Sequence, residues 1–67
     1  MSKKTVDLTD CVCLKETEKA ILVSIPDVDD DMWIPLSQID DDSEVYQEGD
    51  EGTLIISEWI ALQKGLL

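Results

Sequence analysis

Carboxylates are the main chemically active groups of this chain. Sixteen acidic residues stand against five basic ones, and the sequence contains no histidine. Histidine is the commonest general base and a frequent metal ligand, so its absence removes most hydrolase mechanisms. Paired carboxylates can act as acid and base in glycosidases, but they then need opposed environments within a cleft. A surface loop supplies neither, and we expect no catalytic residues and no cofactor.

The run from Asp27 to Asp31 resembles the start of a calcium-binding EF-hand loop, because acids occupy the first, third and fifth positions. The sixth position of such a loop is glycine and the twelfth is glutamate. Here they are Met32 and Gln38. Both diagnostic positions therefore fail, and the sequence predicts no dedicated metal site.

Cys11 and Cys13 are the remaining reactive side chains. Residues two apart on a strand project from the same face about two rises apart, which is a poor arrangement for a disulfide. Two thiols without histidine also make at most half of a zinc site. We expect both thiols to be reduced and to act as small apolar side chains.

The net charge of −11 restricts the class of partner, and from Ala20 to Gln63 the chain has no lysine or arginine. This charge repels nucleic-acid phosphates and anionic membranes, so we expect neither as a direct partner. It favours a basic protein, whose groove the carboxylates would occupy in imitation of DNA. A solvated surface that only promotes solubility is the alternative. The predicted partner-binding residues are Asp27, Asp29, Asp30, Asp31, Asp40, Asp41, Asp42 and Glu44.

Short strands must position these acids in the first half of the chain. Apolar residues alternate at even positions between Val6 and Leu14, which predicts one strand with that face in the core. Residues 20–25 are rich in β-branched side chains and predict a second strand, paired with the first as a hairpin. Residues 32–36 predict a short third strand limited by Pro35.

The second half contains one more strand and a helix. Residues 53–56 form its strongest β pattern, after a turn in which we expect Gly49 and Gly52 to adopt positive φ. Ser57 predicts a helix N-cap, followed by Glu58 in the first turn. The acidic stretch before this strand has three apolar anchors, and the helix carries an apolar stripe; the residues are Ile39, Val45 and Tyr46, then Trp59, Ile60, Leu62 and Leu66.

Together these elements predict an α+β fold, mainly β, formed as a small antiparallel meander or SH3-like barrel of four to five strands with one C-terminal helix. The length of 67 residues predicts a single domain over residues 1–67. We expect Trp33 and Trp59 in the core, because a small domain without phenylalanine needs large side chains to bury area. A subunit interface is the alternative for either tryptophan.

Three strings in the sequence, KAILVSI, WIPLSQI and SEVYQEGDEGTLIISEWIALQKGL, resemble a small family of uncharacterised proteins encoded by bacteriophages and prophages. The resemblance covers residues 19–66, about two-thirds of the chain. It implies a viral accessory gene expressed inside a bacterial cell, and it assigns no chemistry. Cys11 and Cys13 lie outside it.

The leading hypothesis is a non-enzymatic acidic phage accessory protein that binds a basic host or phage protein of nucleic-acid metabolism or defence, as a DNA mimic or inhibitor. The alternative is a structural or assembly module, either virion-related or a homo-oligomer formed through the C-terminal helix, whose acidity serves only solubility. The sequence has neither an apolar run long enough to span a bilayer nor the apolar core of a signal peptide. We therefore expect it in the bacterial cytoplasm.

Overall fold

The computed structural model describes residues 4–66 and contains a four-stranded antiparallel sheet followed by a short helix. The strands are β1 (Thr5–Glu16), β2 (Ala20–Ser24), β3 (Met32–Pro35) and β4 (Glu51–Ser57). A 3-10 turn over Leu36–Gln38 follows β3, and helix α1 (Glu58–Gln63) follows β4 directly. The predicted fold class, mainly strand with one C-terminal helix, is confirmed.

The strand order in the sheet is β3-β2-β1-β4. The first three strands pair as consecutive hairpins, as predicted for β1 and β2, and β4 then returns to lie beside β1. This is the order of a Greek key. Ile39, just after the 3-10 turn, bridges to Ile56 of β4. The chain that follows one edge strand thus meets the other edge strand, and the sheet curls towards a barrel.

Strand β1 changes the face that it buries about halfway along. Val6 and Leu8 pack against the core, as predicted, but beyond a shift in the pairing with β4 the buried residue is Cys11 and Leu14 is 40% exposed. Asp10, inside the shift, has a φ of +57°, a left-handed conformation that aspartate tolerates better than most residues. A bulge of this kind displaces the period-two pattern by one residue. The prediction of one even-numbered core face along the whole strand is therefore wrong after Leu8.

The core is aliphatic, with both cysteines included. The predicted anchors Ile39 and Val45 are buried, and Tyr46 packs against them as a partly buried side chain. The completely buried side chains are Cys11, Ile21, Val23, Ile34, Val45, Leu54, Ile56 and Ala61.

Neither tryptophan belongs to this core, and the prediction that both do is wrong. Trp33 is 42% exposed and Trp59 is 59% exposed. In β3, Ile34 is buried opposite Ile21, so the alternation of the strand turns Trp33 to the outer face. The predicted apolar stripe of α1 is corrected in the same way, because the helix buries Ile60 and Ala61 and leaves Trp59 and Leu62 outside.

Helix α1 begins where the sequence predicts. The N-cap hydroxyl of Ser57 accepts a hydrogen bond from the N–H of Ile60 at 3.2 Å, and Glu58 occupies the first turn. Ser57 also contacts Gln38, with 2.6 Å between Oγ and Oε1, which ties the helix start to the 3-10 turn. Across residues 4–66, no helix has the length and apolar character needed to cross a bilayer.

Candidate functional site

The eight acids predicted to bind a partner lie in two different segments of the structure. We call residues 25–31, which join β2 to β3, the β2–β3 loop. We call residues 39–50, which join the 3-10 turn to β4, the edge segment. Four predicted residues fall in each, namely Asp27, Asp29, Asp30 and Asp31 in the loop and Asp40, Asp41, Asp42 and Glu44 in the edge segment.

All four acids of the β2–β3 loop are exposed. The loop is held by the backbone, since the N–H of Val28 donates to the carbonyl of Ile25 at 3.0 Å and the Val28 side chain packs against the core. Within residues 4–66, side-chain hydrogen bonds to acidic residues involve only members of the edge segment, namely Asp40, Asp41, Glu44 and Asp50. The loop carboxylates are therefore left facing solvent.

The edge segment covers the outer edge of β4. The N–H of Asp40 donates to the carbonyl of Ile55 at 2.8 Å, and the N–H of Glu44 donates to the carbonyl of Thr53 at 2.9 Å. The Glu44 carboxylate in turn accepts a hydrogen bond from the Thr53 N–H at 3.0 Å. An uncovered edge would present unpaired backbone groups to other chains. The edge segment thus satisfies the backbone groups of β4 as a fifth strand would, partly through its side chains.

Ser43 is the buried polar residue at the centre of this edge, with 8% of its surface exposed. Its hydroxyl oxygen accepts hydrogen bonds from the N–H of Ile55 at 3.1 Å and from the N–H of Val45 at 3.3 Å. Leaving such backbone donors unpaired would cost about 1–3 kcal/mol each. Sequence reasoning missed this role, because a serine among acids is also the composition of an ordinary turn.

Carboxylates also cap backbone turns within the edge segment. Asp40 accepts a hydrogen bond from the N–H of Asp42 at 3.0 Å, which is an Asx turn. One oxygen of Asp50 accepts from the N–H of Tyr46 at 3.1 Å and from that of Gln47 at 2.9 Å. Part of the negative charge here therefore has a structural purpose. Asp50 was not a predicted site residue, although an aspartate placed between two glycines is a sequence pattern that indicates a turn.

The two glycines that flank Asp50 have different requirements. Gly49 has a φ of +92° and Gly52 a φ of +139°, which confirms the predicted positive values. At Gly52 a Cβ atom would lie 2.9 Å from Oε1 of Glu44, whereas nothing lies within 4 Å of a Cβ at Gly49. Gly52 therefore serves both the backbone conformation and the close approach of Glu44 to β4.

Tyr46 is hydrogen bonded within the edge segment. Its hydroxyl donates to the carbonyl of Asp40 at 2.8 Å and lies 3.5 Å from the Asp41 carboxylate. Burial, followed by the negative charge of Asp41, raises the pKa of Tyr46 above its ordinary value of 10.0. The phenol is therefore a neutral donor at neutral pH.

Cys11 and Cys13 are free and buried in the core, which confirms their predicted role as small apolar side chains. Burial is the main cause that raises the pKa of both thiols above the ordinary 9.0, and the charges of Asp10 and Glu16 add to it at Cys11 and Cys13 respectively. Nucleophilic chemistry requires the thiolate. At neutral pH these thiols stay protonated and unreactive.

The outer face of β2 and β3 carries an apolar patch that sequence reasoning did not find. Leu22 and Trp33 are direct cross-strand partners, and Ala20 and Pro35 form the next pair on the same face. Trp33 is the most exposed of these side chains, and the other three are half-buried. The sequence did contain a signal for it. If Ile34 faces the core, the alternation of side chains along a strand places Trp33 on the outer face.

Among residues 4–66, no three cysteine, aspartate and glutamate side chains are grouped so that they could hold a metal ion. The chain matches no family model, no curated protein and no solved structure. Its function is therefore inferred from the chemistry of its surface.

Proposed function

We propose that this chain is a non-enzymatic, phage-encoded accessory protein that binds a basic protein of nucleic-acid metabolism or defence and acts as a DNA mimic or inhibitor. The observation that carries the proposal is the state of the β2–β3 loop. Its four acids are exposed, and no side-chain hydrogen bond within residues 4–66 involves them. They lie in a stretch without lysine or arginine.

The energetics of like charges support a role outside the fold. Close-spaced acids repel one another and destabilise a compact state, more so in a small domain. In the edge segment this cost is offset where carboxylates accept hydrogen bonds from backbone N–H groups. In the β2–β3 loop the repulsion between the acids is not offset by such hydrogen bonds. Exposed charges speed association with an oppositely charged partner. Faster binding of a basic protein would therefore give the loop acids a function.

The test is affinity capture from a bacterial lysate with the immobilised chain, followed by mass spectrometry. The wild type is compared with the triple variant D29N/D30N/D31N, and D40N/D41N/D42N serves as a control with the same loss of charge. We expect basic proteins to be captured at low salt, and fewer at high salt or with the loop variant. Capture that is unchanged by salt and by both variants would contradict the proposal.

A second candidate function is self-assembly, because Trp59 and Leu62 are 59% and 57% exposed on α1. They are three residues apart and so lie on one side of the helix. Apolar self-association persists at high salt, where repulsion between chains of charge −11 is screened. Sedimentation of the wild type and of W59A/L62A at high salt tests it. A wild type that stays monomeric there rules it out.

A further inference from the structure

The apolar patch on the outer sheet face is continuous across two strands. Leu22 lies directly opposite Trp33, and Ala20 lies opposite Pro35. Paired side chains on one face of an antiparallel sheet are about 4.5–5.5 Å apart at Cβ, so these four form one surface. Lys15 of β1 is the cross-strand partner of Leu22 on the other side and ends this row. Trp33, 42% exposed, is the side chain that a partner can reach most easily.

The adjacent edge of β3 does not favour the addition of another strand. β3 is the last strand of the sheet on this side, and the N–H of Leu36 donates to the carbonyl of Lys19, the residue before β2, at 2.7 Å. Hydrogen-bonding directions alternate along an antiparallel strand, so Trp33 and Pro35 direct their backbone groups away from β2. Proline has no N–H, which leaves Trp33 as the single outward donor of the strand. A partner must therefore use the side-chain face.

Acids at the Trp33 end of this patch favour a cationic partner there, whereas Lys15 lies beside Leu22 and Lys19 precedes Ala20. Asp29, Asp30 and Asp31 are exposed and precede Trp33 by two to four residues. A ligand for this place needs apolar groups to cover the patch and cationic groups to meet the acids. Arginine meets both requirements, because its guanidinium stacks on indole rings and forms bidentate pairs with carboxylates.

We infer that the outer face of β2 and β3 docks an amphipathic, arginine-bearing segment of the basic partner, with the Trp33 indole as the anchor. The inference rests on the proposed function and adds to it a contact surface and a partner chemistry. A second copy of this chain fits the face less well. A symmetric dimer through the patch would bring two β2–β3 loops and two net charges of −11 together.

Fluorescence can report on this surface directly, because Trp33 and Trp59 are the only tryptophans in the chain. In the variant W59F, Trp33 is the sole indole. The probe is a synthetic peptide of alternating arginine and leucine, and the control peptide replaces each leucine by glycine at equal charge. We expect the arginine–leucine peptide to shift the Trp33 emission to the blue and to reduce its quenching by acrylamide at least twofold. The glycine peptide should bind more weakly and shift the emission less.

The variant W33A, made with Trp59 present, should weaken binding of the arginine–leucine peptide roughly tenfold or more, as loss of an interface hot spot does. Its salt dependence should stay as in the wild type. The loop variant D29N/D30N/D31N should instead flatten the salt dependence. Circular dichroism confirms that each variant is folded, and W59A is the matched control, for which we expect unchanged affinity.

The outcomes separate this inference from the proposed function. If the peptide binds with a steep salt dependence but leaves the Trp33 emission unchanged, the docking face is wrong and the acid-led function stands. If Trp33 anchors the peptide but binding ignores salt and the loop variant, the acid-led function is wrong. No binding of the arginine–leucine peptide overturns the docking inference. A Trp33 emission that shifts with protein concentration alone also overturns it, because a second copy then occupies the face.

Discussion

The β2–β3 loop and the edge segment are both acidic runs, yet Asp40, Glu44 and Asp50 of the edge segment accept backbone hydrogen bonds, whereas no acid of the loop does so within residues 4–66. In the edge segment, Glu44 and Asp50 accept hydrogen bonds from backbone N–H groups of β4 and of the turn that precedes it. In the loop, Asp29 and Asp30 are exposed and contribute nothing comparable within residues 4–66. Residue type alone does not distinguish an acid that is hydrogen bonded within the fold from one that is exposed without such a bond.

The comparison shows when an acidic side chain becomes part of the folded structure. A carboxylate near unpaired backbone donors, at a turn or at a sheet edge, becomes part of the structure because those donors need an acceptor. The edge of β4 supplies such donors at Thr53 and Ile55, which Glu44 and Ser43 satisfy. The acids of the β2–β3 loop accept no hydrogen bond of this kind within residues 4–66 and are exposed.

The largest expected effect on stability comes from the substitution Gly52→Ala. The new Cβ would lie 2.9 Å from the Glu44 carboxylate, at a backbone φ of +139° that L residues rarely adopt. Backbone strain and the disturbed hydrogen bond to Thr53 should together cost about 2–4 kcal/mol. Urea unfolding measures it. Gly49→Ala is the control, with positive φ but an open surrounding, and an equal loss there would show that the contact with Glu44 has no part.

A smaller effect should separate Asp50 from Asp30. Asp50→Ala removes the acceptor of two backbone N–H groups, those of Tyr46 and Gln47, and should cost about 0.5–2 kcal/mol, as the loss of a side-chain cap does. Asp30→Ala removes an exposed charge and should change stability by less than about 0.5 kcal/mol. Thermal unfolding of both variants at one pH makes the comparison. Similar losses for the two would break the distinction between the segments.

The Tyr46 hydroxyl gives a third, pH-dependent difference. Because burial and Asp41 raise its pKa above 10.0, the folded protein holds the phenolic proton more tightly than the unfolded chain. The resulting stability is complete below pH 10.0 and is lost as the pH rises through the folded pKa. Tyr46 is the only tyrosine, so absorbance at the phenolate band follows it alone.

Charge variants assign this shift to the edge segment. Asp41→Asn should lower the titration midpoint of Tyr46 towards 10.0, because among the neighbouring charges that of Asp41 raises the pKa most. Asp30→Asn should leave that midpoint in place. A midpoint that responds equally to both would mean that net charge, rather than the local contact with Asp41, controls Tyr46.

The sequence was sufficient for elements whose signals are local. The alternation and β-branched residues placed the strands, Gly49 and Gly52 marked the turn, and Ser57 marked the start of the helix. Each of these signals depends on a residue and its near neighbours in the chain, either through conformational preference or through a short periodic pattern. These elements can therefore be predicted without knowledge of the tertiary structure.

The predictions that were wrong concern which side of a strand or helix faces the core. The bulge at Asp10 has no distinctive sequence, since aspartate enters left-handed conformations only occasionally, and it reversed the buried face of β1. The position of Trp33 was judged by its size, whereas the pairing of Ile34 with Ile21 decided it. The structural role of Ser43 depends on β4 lying alongside, which is a tertiary contact that composition does not reveal.

The different roles of the two acidic segments can be tested most directly by the association rate of two variants of equal net charge. D29N/D30N/D31N and D40N/D41N/D42N each lose three carboxylates, and stopped-flow fluorescence with the arginine–leucine peptide at low salt compares them. If the β2–β3 loop steers the partner, the first variant should associate several-fold more slowly than the second, and the gap should close as salt is added. Equal slowing by both variants would contradict this, because net charge alone would then govern binding.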